Sequence, residues 1–221
     1  MITKNLYLFG DSICFGQLVG SHKTWASQLC KELDLNYSGN INFCVQNAGV
    51  NGNTTRQALE RLHYDVISHK PDFVLIQFGM NDCNYWVSDN GQPRVSKGAF
   101  LHNILEISHK CISSGVQALI LSTNHFSSKG ILKICDKEIS YDQSNRDYNN
   151  LTREAYKTIA SEFPTLLLDN ELFWQNKLQS ENNLDLTQLL LADGIHLSVN
   201  GHSIYAEYVI PEVQSFLNNN L

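Results

Sequence analysis

Several features that mark other classes of protein are scarce or missing in this chain. Its 221 residues include only four prolines, and charged residues make up 17%, below the roughly 25% of an average soluble protein. No stretch approaches the roughly 18 apolar residues that a membrane-spanning helix needs. There is no basic run, and 16 basic against 22 acidic side chains give a net charge of −6. The composition therefore argues against a membrane span and against a nucleic-acid partner.

The first residues and the cysteines predict a location inside the cell. Residues 1–10 lead directly into a strand-like segment, without the apolar segment and small-residue cleavage site of a signal peptide. The six cysteines are scattered and form no C-x-x-C pair, so we expect free thiols rather than disulfides. We predict a cytoplasmic protein without metal or cofactor, although a mature secreted form with its signal removed would show the same features.

The spacing of apolar residues predicts strands and helices that alternate along the whole chain. Predicted strands cover 5–10, 41–48, 72–78, 116–122 and 165–168, and predicted helices cover 24–35, 54–68, 97–114, 144–163 and 198–217. Such alternation is typical of a parallel sheet with helices on both faces. Since no linker or repeat interrupts the pattern, we predict a single domain over residues 1–221 with a central five-stranded parallel sheet.

The first polar motif is Gly10-Asp11-Ser12, directly after the first predicted strand. In parallel sheets, chemistry gathers at the carboxyl ends of the strands. The Ser12 hydroxyl is therefore a candidate nucleophile, and its backbone N–H is a candidate anion donor. A serine that merely caps a strand-to-helix turn is the alternative.

The second motif, Asn47–Thr54, follows the second predicted strand and contains two glycines. A glycine-containing loop can expose backbone N–H groups, as an oxyanion hole requires. An ordinary turn that ends in a helix cap at Thr54 is the alternative.

The third motif is Gly79-Met80-Asn81-Asp82, after the third predicted strand. The Asn81 side chain is a neutral N–H donor, which can stabilise an oxyanion without protonating it. A turn that ends the strand is the alternative.

The fourth motif, Asp193-Gly194-Ile195-His196, precedes the last predicted helix. An aspartate three residues before a histidine on a turn can accept the Nδ1 proton of the ring and leave Nε2 free as a base. A surface turn is the alternative, and an Asp/His metal pair lacks an obvious third ligand.

One reaction accounts for all four motifs together. A nucleophile, two kinds of oxyanion donor and an oriented base are the groups that acyl transfer requires. The chain resembles the SGNH (GDSL) hydrolase family of esterases, lipases and acyltransferases, whose four blocks occur here in family order between residues 10 and 196. The resemblance implies a flavodoxin-like three-layer α/β/α sandwich. It also implies Ser12 as nucleophile, Gly52 and Asn81 as oxyanion donors, and His196 as base.

Other residues near the motifs are candidates for substrate binding. Tyr85 and Trp86 follow the third motif, and His125 follows the fourth predicted strand. We predict that these three side chains contact the substrate, with loop anchoring and local hydrogen bonding as the alternatives. Asp11 and Asp82 are expected to hold the motif loops by hydrogen bonds.

We therefore predict a serine esterase that acts on a small-molecule ester through an acyl-enzyme. His196 takes the proton of Ser12, Asp193 orients His196, and the N–H groups of Ser12 and Gly52 with the Asn81 amide hold the oxyanion. The intervening loops contain few large aliphatic side chains, which favours short acyl groups, for example acetyl groups on a carbohydrate or small alcohol. An O-acyltransferase, a lipase or thioesterase, and a non-catalytic binding module remain alternatives, and the oligomeric state is open.

Overall fold

The strands form one parallel sheet and one separate hairpin. The computed structural model describes residues 2–37, 41–181 and 183–221. Its strands are β1 (Ile2–Gly10), β2 (Ile41–Asn47), β3 (Phe73–Gln77), β4 (Ala118–Ser122), β5 (Ile131–Ile134), β6 (Lys137–Ser140) and β7 (Thr165–Leu168). Five of them pair in parallel in the order β2-β1-β3-β4-β7. This is the strand order of flavodoxin-like sheets, so the predicted fold class is confirmed.

Helices cover both faces of the sheet. They are α1 (Ser12–Phe15), α2 (Trp25–Tyr37), α3 (Thr55–Asp65), α4 (Lys97–Ser113), α5 (Tyr141–Ala160), α6 (Asn170–Ser180), α7 (Leu186–Leu189) and α8 (Val199–Asn218). One core lies under α2, α6, α7 and α8, and the other lies under α3, α4 and α5. The three layers are therefore helices, sheet and helices.

The two cores follow from the alternation of side chains along apolar strands. In β1, Leu6 and Leu8 enter the core under α8, whereas Tyr7 and Phe9 enter the core under α4. Successive side chains of a strand point to opposite faces, so a strand buried on both faces has to be apolar at every position. All five residues of β3 are buried, and the first four are apolar, whereas the last is Gln77.

Three features differ from the predicted pattern. Residues 131–140, predicted as part of a long connection, form the antiparallel hairpin β5–β6, whose turn residues Cys135 and Asp136 both have positive φ. Its strands have only four residues each and are largely exposed, so they lack a long apolar pattern. Helices α6 and α7 lie in a stretch without a predicted element, and α5 begins at Tyr141, three residues before the predicted start.

The carboxyl ends of β1, β2, β3 and β4 lie at one edge of the sheet, and the first three motifs follow there. Among the residues that the structure describes, no helix combines the length and the apolar character needed to cross a membrane. The fold thus gathers the polar motifs of the sequence at a single edge.

Candidate active site

The first motif forms a sharp turn from β1 into α1. A Cβ atom on Gly10 would lie 2.5 Å from the Cβ of Cys14, so only glycine fits where the strand turns back on the helix. Asp11 caps the helix, since its Oδ1 accepts a hydrogen bond from the backbone N–H of Ile13 at 2.9 Å. Ser12 is the first residue of α1, and this turn holds its side chain at the edge of the sheet.

The fourth motif forms a turn that its own aspartate closes. Asp193 Oδ1 accepts hydrogen bonds from the backbone N–H groups of Ile195 at 2.9 Å and His196 at 3.0 Å. Gly194 has φ +69°, and a Cβ there would lie 2.8 Å from the backbone nitrogen of Lys129. Both the backbone conformation and the close approach therefore require glycine at this position.

These two turns bring three side chains into one chain of hydrogen bonds. His196 Nε2 lies 2.8 Å from Ser12 Oγ, and His196 Nδ1 lies 2.6 Å from Asp193 Oδ2. Partial burial raises the pKa of the Asp193 carboxyl, but hydrogen bonds from His196 and Ile195 outweigh burial and hold that pKa below its usual value. An ionised carboxylate can only accept a hydrogen bond. Nδ1 therefore carries the ring proton, and Nε2 accepts the proton of the Ser12 hydroxyl.

The second motif supplies a tight turn with an unengaged N–H group. Asn53 N–H donates to the Val50 carbonyl at 3.2 Å, and Gly52 adopts φ +75°. A Cβ on Gly52 would meet no atom within 4 Å, so the space in front of it is open. Neither the Gly52 nor the Ser12 backbone N–H donates to an acceptor in the described part of the chain.

The third motif places its amide beside the first motif. Asn81 Nδ2 donates to Asp11 Oδ2 at 3.4 Å, and its second hydrogen is left for another acceptor. The neighbouring Asp82 Oδ1 accepts from the backbone N–H of Thr55 at 2.9 Å and from the Thr55 hydroxyl at 2.5 Å. Met80 is held as well, since its carbonyl accepts from the Tyr141 hydroxyl at 2.6 Å.

The two buried aspartates connect the motifs to one another. Burial raises the pKa of Asp11 to about 7, assisted by the charge of Asp82, while hydrogen bonds oppose the shift. Burial likewise raises the pKa of Asp82 to about 6 against hydrogen bonds from Thr55. Asp11 joins the first motif to the third, and Asp82 joins the third motif to the start of α3. Both hold loops by hydrogen bonds, as the sequence analysis expected.

A cavity of about 360 Å³ opens in front of these groups. Most of its lining residues have polar side chains, and only two have aliphatic ones. The lining consists of Ser12, Gln17, Asn51, Gly52, Met80, Asn81, Asn84, Tyr141, Ile195 and His196. The structure therefore brings the predicted nucleophile, base and oxyanion donors to one cavity, together with amide side chains that the sequence analysis did not single out.

The predicted substrate contacts Tyr85 and Trp86 do not line this cavity. Trp86 is about half exposed and stacks under the guanidinium of Arg94, whose Cζ lies 3.9 Å from the ring centroid. Arg94 Nη1 also donates to the Gly52 carbonyl at 3.2 Å. Trp86 is thus connected to the second motif through Arg94.

The prediction that His125 contacts the substrate is wrong in this structure, because the side chain is completely buried. Its Nε2 donates to the Ile195 carbonyl at 2.9 Å, and its ring lies 5.0 Å from that of Trp174. Burial lowers the pKa of His125 to about 4, so the ring is neutral near pH 7. His125 supports the 193–196 turn from behind.

Sequence reasoning missed Arg61, which fastens the first motif to the second. Its guanidinium donates to the carbonyls of Gly10 at 2.9 Å and Ala48 at 2.7 Å, and to the Asn53 side chain at 2.6 Å. Arg61 is one charged residue on an amphipathic helix, and no local pattern distinguishes it from a solvated arginine. Its role depends on the distance between α3 and the ends of two strands.

The thiols of the chain are free, as predicted. Burial raises the pKa of Cys14 and of Cys83, which lie close to the motifs, so both are protonated near neutral pH. Over residues 2–37, 41–181 and 183–221, no three His, Cys, Asp or Glu side chains cluster in a way that could hold a metal ion.

Comparisons with known proteins show which family and which fold this chain shares. The model of the GDSL-like lipase/acylhydrolase family matches residues 8–204. An acetylxylan esterase of Geobacillus stearothermophilus is 29% identical over 174 residues, which cover 76% of this chain and 71% of that protein. The crystal structure of a catalytic mutant of an acetylxylan esterase from the same organism matches with a TM-score of 0.77 and 22% identity, and the match covers 96% of this chain and 95% of that one. At that identity the structural likeness shows the fold.

A further relative corrects the predicted location. The uncharacterized lipoprotein YqeF of Bacillus subtilis strain 168 is 24% identical over 205 residues, which cover 85% of this chain and 80% of that protein. That relative is named a lipoprotein, which contradicts the prediction of a cytoplasmic protein, so that prediction is wrong. That prediction relied on scattered cysteines and on the first ten residues, and neither feature determines where a folded enzyme resides.

Proposed function

Because the chain belongs to the GDSL-like lipase/acylhydrolase family and is an ester-hydrolysing enzyme, we propose that it is a serine esterase that removes short acyl groups from small or carbohydrate alcohols. The observation that supports the proposal most directly is the hydrogen-bonded series Ser12–His196–Asp193 at the mouth of a polar cavity. We further propose that residues 1–221 form one catalytic domain, since both cores are built on the same sheet.

The reaction begins at Ser12. His196 Nε2 takes the hydroxyl proton as Oγ attacks the ester carbonyl, and the imidazolium that forms is stabilised by the Asp193 carboxylate. His196 then returns this proton to the leaving alkoxide, which departs as the free alcohol. Water then attacks the acyl-enzyme while His196 Nε2 takes its proton, the bond between the acyl carbon and Ser12 Oγ breaks to release the acid, and His196 returns the proton to Oγ. Each step uses the same 2.8 Å and 2.6 Å contacts that the structure shows.

The oxyanion is held by three neutral donors. These are the backbone N–H groups of Ser12 and Gly52, which have no described acceptor, and the second hydrogen of Asn81 Nδ2. Preorganised donors of this kind contribute more to the transition state than to the ground state, and loss of one donor lowers kcat about 10² to 10³-fold. Asp11 and Arg61 hold these donors in place from behind.

The lining of the cavity supports a short acyl group and a hydroxylated alcohol. Gln17, Asn51 and Asn84 present amide groups that can hydrogen-bond sugar hydroxyls, whereas Met80 and Ile195 are the aliphatic lining residues. A methylene contributes up to about 0.8 kcal/mol only where it is buried against apolar surface. Acyl chains beyond a few carbons would therefore gain little in this cavity. The relative that is named an acetylxylan esterase agrees with this substrate class.

A more apolar cavity of about 470 Å³ lies between α2 and the strands β1 and β2, and its lining includes Leu8, Phe15 and Val45. It shares no lining residue with the catalytic cavity. The proposal of short acyl groups therefore predicts that this second cavity makes no contribution to catalysis.

One experiment tests both the nucleophile and the acyl length. A fluorophosphonate probe should label the wild type at Ser12, and Ser12→Ala should remove both the label and nearly all hydrolysis of 4-nitrophenyl acetate without unfolding the chain. In the wild type, kcat/KM should be highest for acetyl to butyryl esters. Label that persists in Ser12→Ala would refute the nucleophile. A steady rise of kcat/KM beyond eight acyl carbons would refute the short-acyl proposal alone.

A further inference from the structure

Two cations beside the catalytic cavity have no ionic partner. The chain carries a net charge of −6, and acidic side chains outnumber basic ones. Nevertheless, neither Arg94 nor Lys129 forms an ion pair with any carboxylate of the described residues. Both side chains are partly buried, and both lie against aromatic rings. Placing cations in this way costs solvation, so a function for them has to be sought.

Arg94 lies on the side of the second motif. Its guanidinium covers the Trp86 ring at 3.9 Å, and Nη1 donates to the Gly52 carbonyl at 3.2 Å. This is the one hydrogen bond of its side chain to the described residues, so most of its five N–H donors are available to a ligand. A planar guanidinium that is already stacked has lost part of its freedom and is preorganised to bind a carboxylate through two N–H groups.

Lys129 lies on the side of the fourth motif. Its backbone packs against Gly194, and its Nζ lies 4.9 Å from the centroid of the Tyr141 ring. Tyr141 lines the catalytic cavity. Each cation therefore contacts one residue that lines the cavity: Arg94 contacts Gly52 at the oxyanion turn, and Lys129 contacts Tyr141 beside the turn that carries the base.

Among the described residues, the nearby carboxylates of Asp82, Asp89 and Asp193 form no ion pair with Arg94 or Lys129. Asp82 is buried and accepts two hydrogen bonds from Thr55, and Asp193 is bound to His196. Burial lowers the pKa of Arg94, and the charges of Asp82 and Asp89 oppose that shift without forming an ion pair with it. Arg94 therefore stays charged, and its free N–H groups can bind a further anion.

We propose that Arg94 and Lys129 bind a carboxylate on the alcohol part of the substrate, so that the preferred substrates are acyl esters of acidic alcohols, such as acylated sugar acids. This inference rests on the proposed esterase function, and it names the substrate class of that same site. Arg94 supplies a directional, two-point contact, and Lys129 supplies a point charge.

The test compares two esters that differ in charge and little in shape. 4-Acetoxybenzoate carries a carboxylate on its alcohol part, and 4-acetoxybenzamide is its neutral analogue. The ratio of their kcat/KM values is measured at pH 7 and low ionic strength for the wild type, Arg94→Gln and Lys129→Gln. The control is Lys157→Gln, which removes the same charge from α5 sixteen residues beyond Tyr141, about 24 Å along the helix.

Each of the two variants should lower the ratio of anionic to neutral kcat/KM by about three- to fivefold, as expected for a partly exposed ion pair. Lys157→Gln should leave the ratio unchanged, and added salt should lower it in the wild type. Arg94→Glu should reverse the preference. If Arg94→Gln and Lys129→Gln slow both esters equally, the cations only support the loops, and the inference is overturned. It is equally overturned if neither variant alters the ratio.

Failure of the proposed function gives a different result. If the wild type hydrolyses neither ester faster than Ser12→Ala does, the esterase itself is refuted and the charge comparison no longer applies. Hydrolysis of both esters with a ratio that is independent of Arg94 and Lys129 refutes only the carboxylate site.

Discussion

Replacement of Asp193 by asparagine tests the orientation of the catalytic histidine. Asp193 Oδ1 accepts from two backbone N–H groups, of Ile195 and His196, and its Oδ2 accepts from His196 Nδ1. In Asp193→Asn, the amide oxygen has to keep the place of Oδ1, because an NH₂ group there would face two N–H donors. The NH₂ group then takes the place of Oδ2, where it can only donate.

The consequence is a histidine in the wrong tautomer. Nδ1 must become an acceptor, so the ring proton moves to Nε2, which can no longer accept the proton of Ser12. The fold and the 2.8 Å contact can persist while the base is lost. In triads of this design, the same substitution lowers kcat by about 10⁴, and we expect a loss of at least about 10² in kcat/KM for 4-nitrophenyl acetate.

Asp185→Asn is the matched control for the loss of one negative charge. Asp185 is exposed, and it caps the short helix α7 by accepting from the backbone N–H of Thr187 at 2.8 Å. Asparagine is an equally good cap, so kcat/KM should stay close to the wild-type value. Circular dichroism and thermal unfolding should show both variants folded. An Asp193→Asn enzyme that retains more than about a tenth of wild-type kcat/KM would contradict the argument from tautomers.

Two further predictions concern stability. Burial lowers the pKa of His202 from 6.5 to about 4, so the unfolded chain binds one more proton between these pH values and stability falls as the pH drops. Urea titrations at several pH values should show that, in this range, the free energy of unfolding of the wild type falls more steeply with decreasing pH than that of His202→Gln, by about 1 kcal/mol per pH unit. If the two proteins gave parallel plots of the free energy of unfolding against pH, this reasoning would be contradicted. A Cβ on Gly201 would lie 2.0 Å from the Leu189 carbonyl oxygen, whereas one on Gly98 of helix α4 meets nothing. Gly201→Ala should therefore cost about 2 to 4 kcal/mol, and Gly98→Ala should stabilise the protein by about 0.5 to 1 kcal/mol. Equal melting temperatures for the two variants would refute the steric reasoning.

The long apolar strands and the four motifs were predictable because their signals are local. Strand β3 is a continuous apolar run, and in β1 the residues that enter both cores are consecutive in the chain. Gly10 is required by the close approach of Cys14, four residues along the chain, and the backbone of Gly194 has a φ of +69° that favours glycine within its own turn. Asp193 and His196 are three residues apart, so their hydrogen bond depends on one turn. Such features can be predicted from the sequence because they depend only on residues that lie close together in the chain.

Other features depended on distances between segments that are far apart in the chain. His125 has a polar ring after a strand, as a substrate contact would, but packing against Trp174 buries it. The hairpin 131–140 has strands too short and too exposed to produce a periodic signal.

The amino-acid order alone thus specifies the parallel sheet, its strands and the chemical groups at their carboxyl ends, because apolar alternation and turn chemistry act over a few residues. Only the folded chain decides which of those groups meet. The 2.8 Å contact joins Ser12 to His196 across 184 positions, and Arg61 reaches Gly10 across 51. Arg94 and Lys129 become neighbours of one cavity only when their loops pack beside it. Contacts of this kind arise from the packing of whole helices and loops on the sheet, and no short pattern of residues encodes them.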